Sequence, residues 1–169
     1  MEIVAGGLLL RQPRASDLEA VVAACRDPEI PRFIPLVPAP YGEGDAEEWL
    51  AAVGRSWAEG GEATFAVTER RSGALLGVVT VRLRDGGTVG YWLAPEARGR
   101  GVMTAAVRAA VEWARTEHGI HRLFLTTHPD NLASQRVAER AGFVRVGIAD
   151  HQPAFRDGTT SAVLFELRA

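Results

Sequence analysis

Two glycines and two arginines alternate in the segment Arg98-Gly99-Arg100-Gly101, directly before a helical pattern of apolar residues. The first amides of a helix have no acceptors within the helix, and the helix dipole adds partial positive charge there. Glycine lets a backbone approach a ligand closely, and arginine adds full charge and paired donors. The segment therefore predicts a phosphate-binding turn, with a plain strand-to-helix turn carrying solvated arginines as the alternative.

The spacing of these glycines excludes two common phosphate-binding loops. The segment lacks the lysine of GxxxxGK[ST], the loop typical of nucleoside triphosphatases. It also does not form GxGxxG after a first strand with an acidic residue about 20 positions later, as dinucleotide-binding folds do. What remains is an Arg-x-x-Gly-x turn that follows an antiparallel strand.

The apolar periodicity predicts the elements that must position this turn, in the order β-α-α-β-β-β-α-β-α-β-β. From residue 60 onwards the predicted elements are strands at 63–69, 75–83 and 88–93, a helix at 101–117, a strand at 121–127, a helix at 131–142 and two final strands joined by a turn at Asp157-Gly158. The strands at 88–93 and 121–127 flank a helical crossover, which makes them parallel. The predicted fold class is therefore mixed α/β (α+β), with a mostly antiparallel sheet of about seven strands and helices on both faces.

The first part of the chain predicts a strand at 7–13 and a helix that starts near Ser16. Ser16 and Glu19 have the spacing of a capping box. Further along, Asp85–Gly87 reads DGG, which is typical of a tight hairpin turn before the strand at 88–93.

Four prolines lie between Pro31 and Pro40. Proline removes a backbone donor and disrupts both helices and central strands, so this segment is predicted to be an irregular loop. Its aromatic residues Phe33 and Tyr41 are predicted to be exposed. A second helix is predicted to follow, with Asp45 in its first turn, where the helix dipole favours acidic residues.

Composition excludes several classes of function. The chain has 169 residues, 47% of them apolar, which indicates a single domain over residues 1–169. A formal net charge of −2 argues against general binding to nucleic acid or membrane surfaces. We expect no metal, because no Cys/His cluster is present, and no membrane insertion, because no apolar run approaches 20 residues. A single cysteine, Cys25, falls on an apolar helix face, which favours a core role and a reduced, cytoplasmic setting.

The segment Arg98–Met103 resembles the (Gln/Arg)-x-x-Gly-x-(Gly/Ala) acetyl-CoA pyrophosphate motif of the GNAT acetyltransferase superfamily. Met103 departs from that motif, which has Gly or Ala at this position. If the Met103 side chain points into the core, the backbone amides stay open. If it points outward, it would crowd the pyrophosphate. The segment His128–Phe143 resembles the Asn-x-x-Ser…Gly-Phe block of the branch that contains ribosomal-protein N-terminal alanine acetyltransferases. The segment Cys25–Leu50 also resembles that branch, so the resemblance covers essentially the whole chain.

The resemblance implies acetyl-CoA as cosubstrate, bound in an opening between two parallel strands that part at their ends. Its pyrophosphate would lie on the amides of Arg98–Thr104. Backbone donors near Trp92 and Leu93 would hold the pantetheine arm and polarise the thioester carbonyl, as an oxyanion hole does. The residues expected to contact the cosubstrate are Trp92, Leu93, Arg98, Gly99, Arg100, Gly101, Val102, Met103, Thr104 and Asn131.

The leaving thiolate needs a donor, and the tyrosine that many relatives place before the Gly-Phe pair is absent, since Val137-Ala138-Glu139 stands there. In the resembled branch the serine of the Asn-x-x-Ser block is the candidate, which here is Ser134. The alternative is a hydroxyl of the first helical turn beside an Asn131 cap. The candidates for a general base, each more often structural, are His128, Glu62 and His151.

The expected reaction transfers an acetyl group to a primary amine of a small molecule or a peptide, such as a protein N-terminus. Phe33, Tyr41 and Trp49 are candidates to line the acceptor site, with a core role as the alternative. Two other functions stay open: transfer of a larger acyl group such as succinyl, and a non-catalytic acetyl-CoA-binding module. The sequence does not distinguish a monomer from a homodimer.

Overall fold

The computed structural model describes residues 1–84 and 87–168, and this part forms one eight-stranded sheet with five α-helices. The strands are β1 (Glu2–Ala5), β2 (Leu8–Arg11), β3 (Glu62–Glu69), β4 (Leu75–Arg82), β5 (Thr88–Leu93), β6 (Arg122–Thr127), β7 (Val144–Asp150) and β8 (Ser161–Arg168). The helices are α1 (Leu18–Cys25), α2 (Glu29–Phe33), α3 (Glu43–Glu59), α4 (Val102–His118) and α5 (Leu132–Ala141).

The strands lie in the order β1-β2-β3-β4-β5-β6-β8-β7. Neighbouring strands are antiparallel except β5 and β6, which run parallel on either side of the crossover through α4. The prediction of a mixed, mostly antiparallel sheet with one parallel pair is confirmed. The sheet has eight strands rather than about seven because Glu2–Ala5 forms an additional edge strand against β2.

Helices cover both faces of the sheet, as predicted. On one face α4 packs against Phe65 through Trp113, and Phe165 belongs to the same buried cluster; the rings of both phenylalanines are fully buried. Burying one such ring contributes on the order of 2 kcal/mol. On the other face α1 and α3 pack around Val21 and Ala46. The buried stripe of α4 consists of Met103, Ala106, Val107, Ala110 and Ala114.

A short 3-10 turn leads into α1, and its capping differs from the prediction. The carboxylate of Asp17, rather than the hydroxyl of Ser16, accepts the backbone amide of Arg14 at 2.7 Å. Asp17 also accepts two N–H groups of Arg11, each at 2.8 Å. The predicted Ser16–Glu19 capping box is therefore wrong, because a buried ion pair and a backbone amide converge on Asp17 instead.

The proline-rich segment begins with regular structure, contrary to the prediction. Pro31 lies in the first turn of α2, where a missing amide costs nothing because no helical acceptor is available. The predicted exposure of Tyr41 is also wrong, since its ring is buried at 6% exposure, whereas Phe33 is half-buried. The predicted turn at Asp85–Gly87 begins with two residues that lie outside the described part of the chain. Within residues 1–84 and 87–168, no helix combines the length and the apolar character that crossing a bilayer requires.

Candidate active site

The parallel strands β5 and β6 form an opening. They pair at Thr88 and Phe124 and at no later position among the described residues. On their outer edges pairing continues, with β4 as far as Leu93 and with β8 as far as Thr127. Backbone groups on the parted inner edges need another partner, so the opening suits a ligand that carries amides of its own.

The register of β4 and β5 decides which backbone groups face this opening. Ala94 donates its amide to a β4 carbonyl at 2.8 Å, and Trp92 lies opposite Val78 of β4. Because hydrogen bonding alternates along an antiparallel pair, the backbone of Trp92 also bonds to β4, whereas Tyr91 and Leu93 face β6. Of the two predicted donors, Leu93 faces the opening and Trp92 does not; Tyr91 takes its place.

The glycine–arginine turn after β5 is open to its surroundings. Gly99 and Gly101 have φ angles of 74° and 75°, and a Cβ placed on either would have no heavy atom within 4 Å. The amide of Arg98 is used within the turn, where it donates to a carbonyl at 3.2 Å. In the described chain, the first amide at the start of α4 with a backbone acceptor is that of Ala105, at 3.1 Å. The amides of Gly99–Thr104 are therefore available to an anion.

The side chains of the turn point in different directions. The guanidinium of Arg98 contacts Asp27 at 2.5 Å and the carbonyl oxygen of Leu93 at 3.2 Å, so it ties the turn to the segment after α1. Arg100 is exposed. Met103 is 3% exposed and packs in the core. Its side chain therefore points inward, which leaves the backbone amides of the turn open.

Ser134 lies beside a tyrosine hydroxyl at the start of α5. Asn131 caps this helix, because its side-chain oxygen accepts the amide of Ser134 at 3.1 Å. The Ser134 hydroxyl oxygen is 2.9 Å from the Tyr91 phenol oxygen, and Tyr91 donates to the Ser134 carbonyl at 3.0 Å. A phenol has one hydrogen to donate, so the serine hydroxyl donates to Tyr91 in this arrangement. Burial raises the pKa of Tyr91 to about 12, which keeps the phenol protonated at neutral pH.

Tyr91 belongs to none of the motifs identified in the sequence. Val89, Tyr91 and Leu93 alternate along β5 and share one face, which packs against the α4 side of the sheet. This alternation is the sequence feature that could have identified Tyr91 as a site residue. It is equally typical of a strand whose inward side chains only pack in the hydrophobic core. The partner hydroxyl of Ser134 lies 43 residues away in the chain, and only the folded structure brings the two together.

His128, one candidate base, is buried directly after β6. Its Nδ1 accepts the amide of Asp130 at 3.0 Å, and its Nε2 lies 3.0 Å from the carboxylate of Asp157. The imidazole therefore carries its proton on Nε2 and donates it to Asp157. With both nitrogens engaged, His128 cannot accept a proton from an amine without breaking the bond to Asp130.

The other two candidate bases are held elsewhere. Glu62 pairs with Arg82 at 2.8 Å, and Arg82 lies opposite Thr88, which is the closed end of the opening. His151 stacks on Phe155 with ring centroids 4.1 Å apart, and its Nδ1 contacts a backbone carbonyl in the loop between β7 and β8. Neither side chain is brought to the parted ends of β5 and β6.

A cavity of about 650 Å³ lies between the ends of α1 and α2, the segment before α3 and the β7–β8 loop. Of the three aromatic residues expected to contact the acceptor, Tyr41 lines this cavity. Phe33 packs on His128 with ring centroids 5.4 Å apart. Trp49 packs against the buried cluster of α1 and α3.

Cys25 is buried, and burial raises the pKa of its thiol to about 12, which leaves it protonated and unreactive. Among residues 1–84 and 87–168, no three His, Cys, Asp or Glu side chains are grouped so that they could hold a metal ion.

A protein-family model described as an acetyltransferase (GNAT) domain matches residues 7–144. Among curated proteins, the probable N-acetyltransferase YjcK of Bacillus subtilis strain 168 is 46% identical over 61 residues, 36% of this chain and 34% of that protein. The uncharacterized N-acetyltransferase YnaD of the same organism is 27% identical over 150 residues, 87% of this chain and 85% of that protein. The match therefore spans about a third of the first relative and most of the second.

Solved structures share the fold over nearly the whole chain. A ribosomal L7/L12 alpha-N-protein acetyltransferase in complex with coenzyme A superposes with a TM-score of 0.88, over 99% of this chain and 98% of that one, at 16% identity. Ribosomal-protein acetyltransferases recur among the structures with this fold. At such identities the likeness concerns the fold alone.

Proposed function

Because this chain belongs to the GNAT acetyltransferase family, we propose that it is an acetyl-CoA-dependent N-acetyltransferase acting on a primary amine, such as a protein N-terminus. The observation that carries the proposal is the opening between β5 and β6, which leads to the available amides of Gly99–Thr104. Acetyl-CoA supplies the acetyl group as a thioester. The proposed setting is the cytoplasm, where the thiol of Cys25 stays reduced.

The residues present fit coenzyme A. Two linked phosphates suit the amides of Gly99–Thr104, because these amides lie at a helix N-terminus without backbone acceptors in the described chain. The exposed Arg100 adds positive charge beside them. The inner-edge amides of Tyr91 and Leu93 are the donors proposed for the pantetheine arm and the thioester carbonyl.

The proposed transfer is complete without a further reactant. The amine nitrogen attacks the thioester carbonyl carbon, a carbon–nitrogen bond forms and the carbon–sulfur bond breaks. The nitrogen loses one proton and the sulfur gains one. An α-amine with a pKa of about 8 is partly neutral at pH 7, whereas a lysine amine with a pKa of about 10.4 is almost entirely charged. An α-amine therefore needs little help from a base, which suits a site where both His128 nitrogens are engaged.

Ser134 is proposed as the catalytic donor to the leaving sulfur, for which its hydroxyl turns its single hydrogen from the Tyr91 phenol to the sulfur. Its backbone is fixed by the Asn131 cap, and its hydroxyl is held 2.9 Å from the phenol of Tyr91. Tyr91 is then a positioning residue, since it orients the serine hydroxyl through a hydrogen bond. Proton donation of this kind typically accelerates a reaction by about 10²–10⁴-fold.

The test is thiol release by the purified protein with acetyl-CoA or succinyl-CoA and a panel of amines and N-terminal peptides. We expect thiol release that depends on both acetyl-CoA and an amine with a free α-amino group. Faster release from succinyl-CoA would replace the acetyl assignment with another acyl group. Saturable coenzyme A binding without release for any acceptor would indicate a binding module, and absence of binding would contradict the proposal altogether.

A further inference from the structure

The cavity between α1, α2 and the β7–β8 loop is lined mostly by apolar surface, and more basic than acidic residues contribute to it. Its described lining residues include three arginines, Arg26, Arg32 and Arg156, and one aspartate, Asp157. Prolines and the ring of Tyr41 contribute apolar surface between these charges. Charge interactions are stronger beside apolar surface than in open water, so this wall favours an anionic ligand.

Two of the three cations have no carboxylate partner among the described residues. Arg156 donates to two backbone carbonyl oxygens, at 2.9 and 2.7 Å, and Arg26 donates to one at 3.4 Å. A carbonyl oxygen accepts a hydrogen bond but does not neutralise the charge. Arg32 differs, because it pairs with Glu29 at 3.2 Å.

The carboxylate on the cavity wall already has donors. Asp157 accepts the amide of Thr159 at 2.9 Å and lies 3.0 Å from Nε2 of His128. These bonds hold the carboxylate towards the loop and His128, and no arginine of the wall pairs with it among the described residues. Arg26 and Arg156 therefore leave an excess of positive charge at the cavity.

One side-chain contact and one sequence neighbour connect residues of the cavity to the two sides of the opening. Asp157, on its wall, contacts His128, the residue that directly follows β6. Arg26, also on its wall, precedes Asp27, which pairs with Arg98 in the turn after β5 at 2.5 Å. A molecule whose amine lies in the opening could therefore place its neighbouring groups in the cavity.

We infer that the cavity binds a carboxylate carried by the amine acceptor, with Arg26 and Arg156 as its specificity-determining residues. Guanidinium groups match carboxylates in geometry as well as charge. A volume of about 650 Å³ suits a few side chains or one small molecule. The inference rests on the proposed N-acetyltransferase function and narrows its acceptors to acidic amines, supplied either by a peptide with acidic residues after its N-terminus or by a free acidic amino acid.

The experiment measures binding and turnover separately. Peptides of equal length that begin Ala-Glu-Glu, Ala-Gln-Gln or Ala-Lys-Lys, and free glutamate, are titrated calorimetrically into the protein with coenzyme A present. We expect the Glu peptide or free glutamate to bind at least about tenfold more tightly than the Gln peptide, since hydrogen bonds between charged groups are roughly twice as strong as neutral ones. Which of these two binds more tightly identifies the source of the carboxylate. Acetylation of each ligand is then measured by thiol release.

Variants assign the preference to residues. Arg26→Gln and Arg156→Gln should each reduce the preference for the Glu ligand, and the double variant should abolish it. Arg156→Lys keeps the charge and should retain most of the preference, which separates charge from the structural role of the Arg156 hydrogen bonds. Arg71→Gln, at the exposed turn between β3 and β4, is the matched control and should leave the preference unchanged.

The outcomes separate this inference from the proposed function. Equal binding of the Glu and Gln ligands, no binding of any of them, or a preference that survives the double variant would overturn the inference, even if peptides are acetylated. An arginine-dependent preference without any acetylation would support the carboxylate site and contradict the proposed acetyltransferase activity.

Discussion

The phenol oxygen of Tyr91 lies 2.9 Å from the hydroxyl oxygen of Ser134 and so links β5 to α5 beside the opening. Both residues stand where two parallel strands part, and the turn that follows β5 carries the available amides of Gly99–Thr104. One side of the opening thus presents amides without backbone acceptors in the described chain, and the other presents a hydroxyl that is hydrogen-bonded to a protonated phenol.

Replacing Ser134 by alanine should lower kcat by about 10²-fold, because the leaving sulfur loses its proposed donor. Coenzyme A affinity should change little, since the amides of Gly99–Thr104 proposed to bind the diphosphate are untouched. Tyr91→Phe should lower kcat less, because it removes the orienting bond and keeps the serine hydroxyl. Steady-state thiol release and a coenzyme A titration measure both effects, with the exposed-turn variant Ser72→Ala as control. An unchanged kcat for Ser134→Ala would remove this residue from the mechanism.

Gly101→Ala should weaken coenzyme A binding, because the new Cβ would project into the space in front of the turn. Gly119→Ala is a matched control at the other end of α4, where φ is 65° and a Cβ also meets no atom within 4 Å. Both variants should lose about 1 kcal/mol of unfolding free energy, because alanine is strained at positive φ. Urea denaturation and coenzyme A titration compare them; equal coenzyme A affinities would argue against a diphosphate at this turn.

Asp17→Asn should lower the free energy of unfolding by about 3 kcal/mol at neutral pH, since it leaves the buried guanidinium of Arg11 without its counter-charge. Glu112→Gln, which disrupts an exposed ion pair with Arg115, should cost much less. Urea denaturation of both variants provides the comparison, and similar losses for the two would contradict a structural role for the buried pair.

The same Asp17 pair predicts a pH dependence. Burial would by itself raise the pKa of Asp17, but the hydrogen bonds from Arg11 and Arg14 outweigh it and lower the pKa below its usual range. The stabilisation is therefore fully present above the ordinary aspartate pKa of about 3.9 and is lost as the pH falls through the lower, folded-state value. Wild type and Asp17→Asn should converge in unfolding free energy in acid. A gap that stays constant down to the lowest pH at which both fold would count against this assignment.

The acceptor amine should set the pH dependence of acetylation, because none of the three candidate bases, His128, Glu62 and His151, stands free at the opening. With a peptide α-amine, kcat/KM should rise towards pH 8; with a lysine side chain, the rise should extend towards pH 10. Rates with matched α-amine and lysine acceptors over this range provide the measurement. A shared midpoint for both acceptors would instead reveal a titrating group of the protein.

Much of the fold could be predicted from apolar periodicity. The apolar stripe of α4 is long enough to identify a helix, and the short apolar runs of β3 and β4, which are bounded by turn residues, are typical of buried strands. The four-residue β1 is too short to show an apolar pattern. The helix α2 was not predicted because proline usually disrupts a helix, whereas Pro31 lies in the first turn of α2, where proline is tolerated.

The parts of the candidate site that depend on local sequence could be predicted. The parts that depend on strand register or on contacts between distant residues could not. The open turn at Gly99 and Gly101 follows from glycine spacing before a helix. That Tyr91 rather than Trp92 faces the opening depends on the register between β5 and β4, which the sequence does not specify. The bond between His128 and Asp157 joins residues 29 positions apart and likewise requires the folded loop.

The most direct test of the central claim is hydrogen–deuterium exchange of the backbone amides with and without coenzyme A. We predict slower exchange at Gly99–Thr104 and at Tyr91 and Leu93 when coenzyme A is bound, with little change in β1 or β2. Binding without protection at the turn, or no change anywhere at saturating coenzyme A, would contradict the assignment of this opening as the acetyl-CoA site.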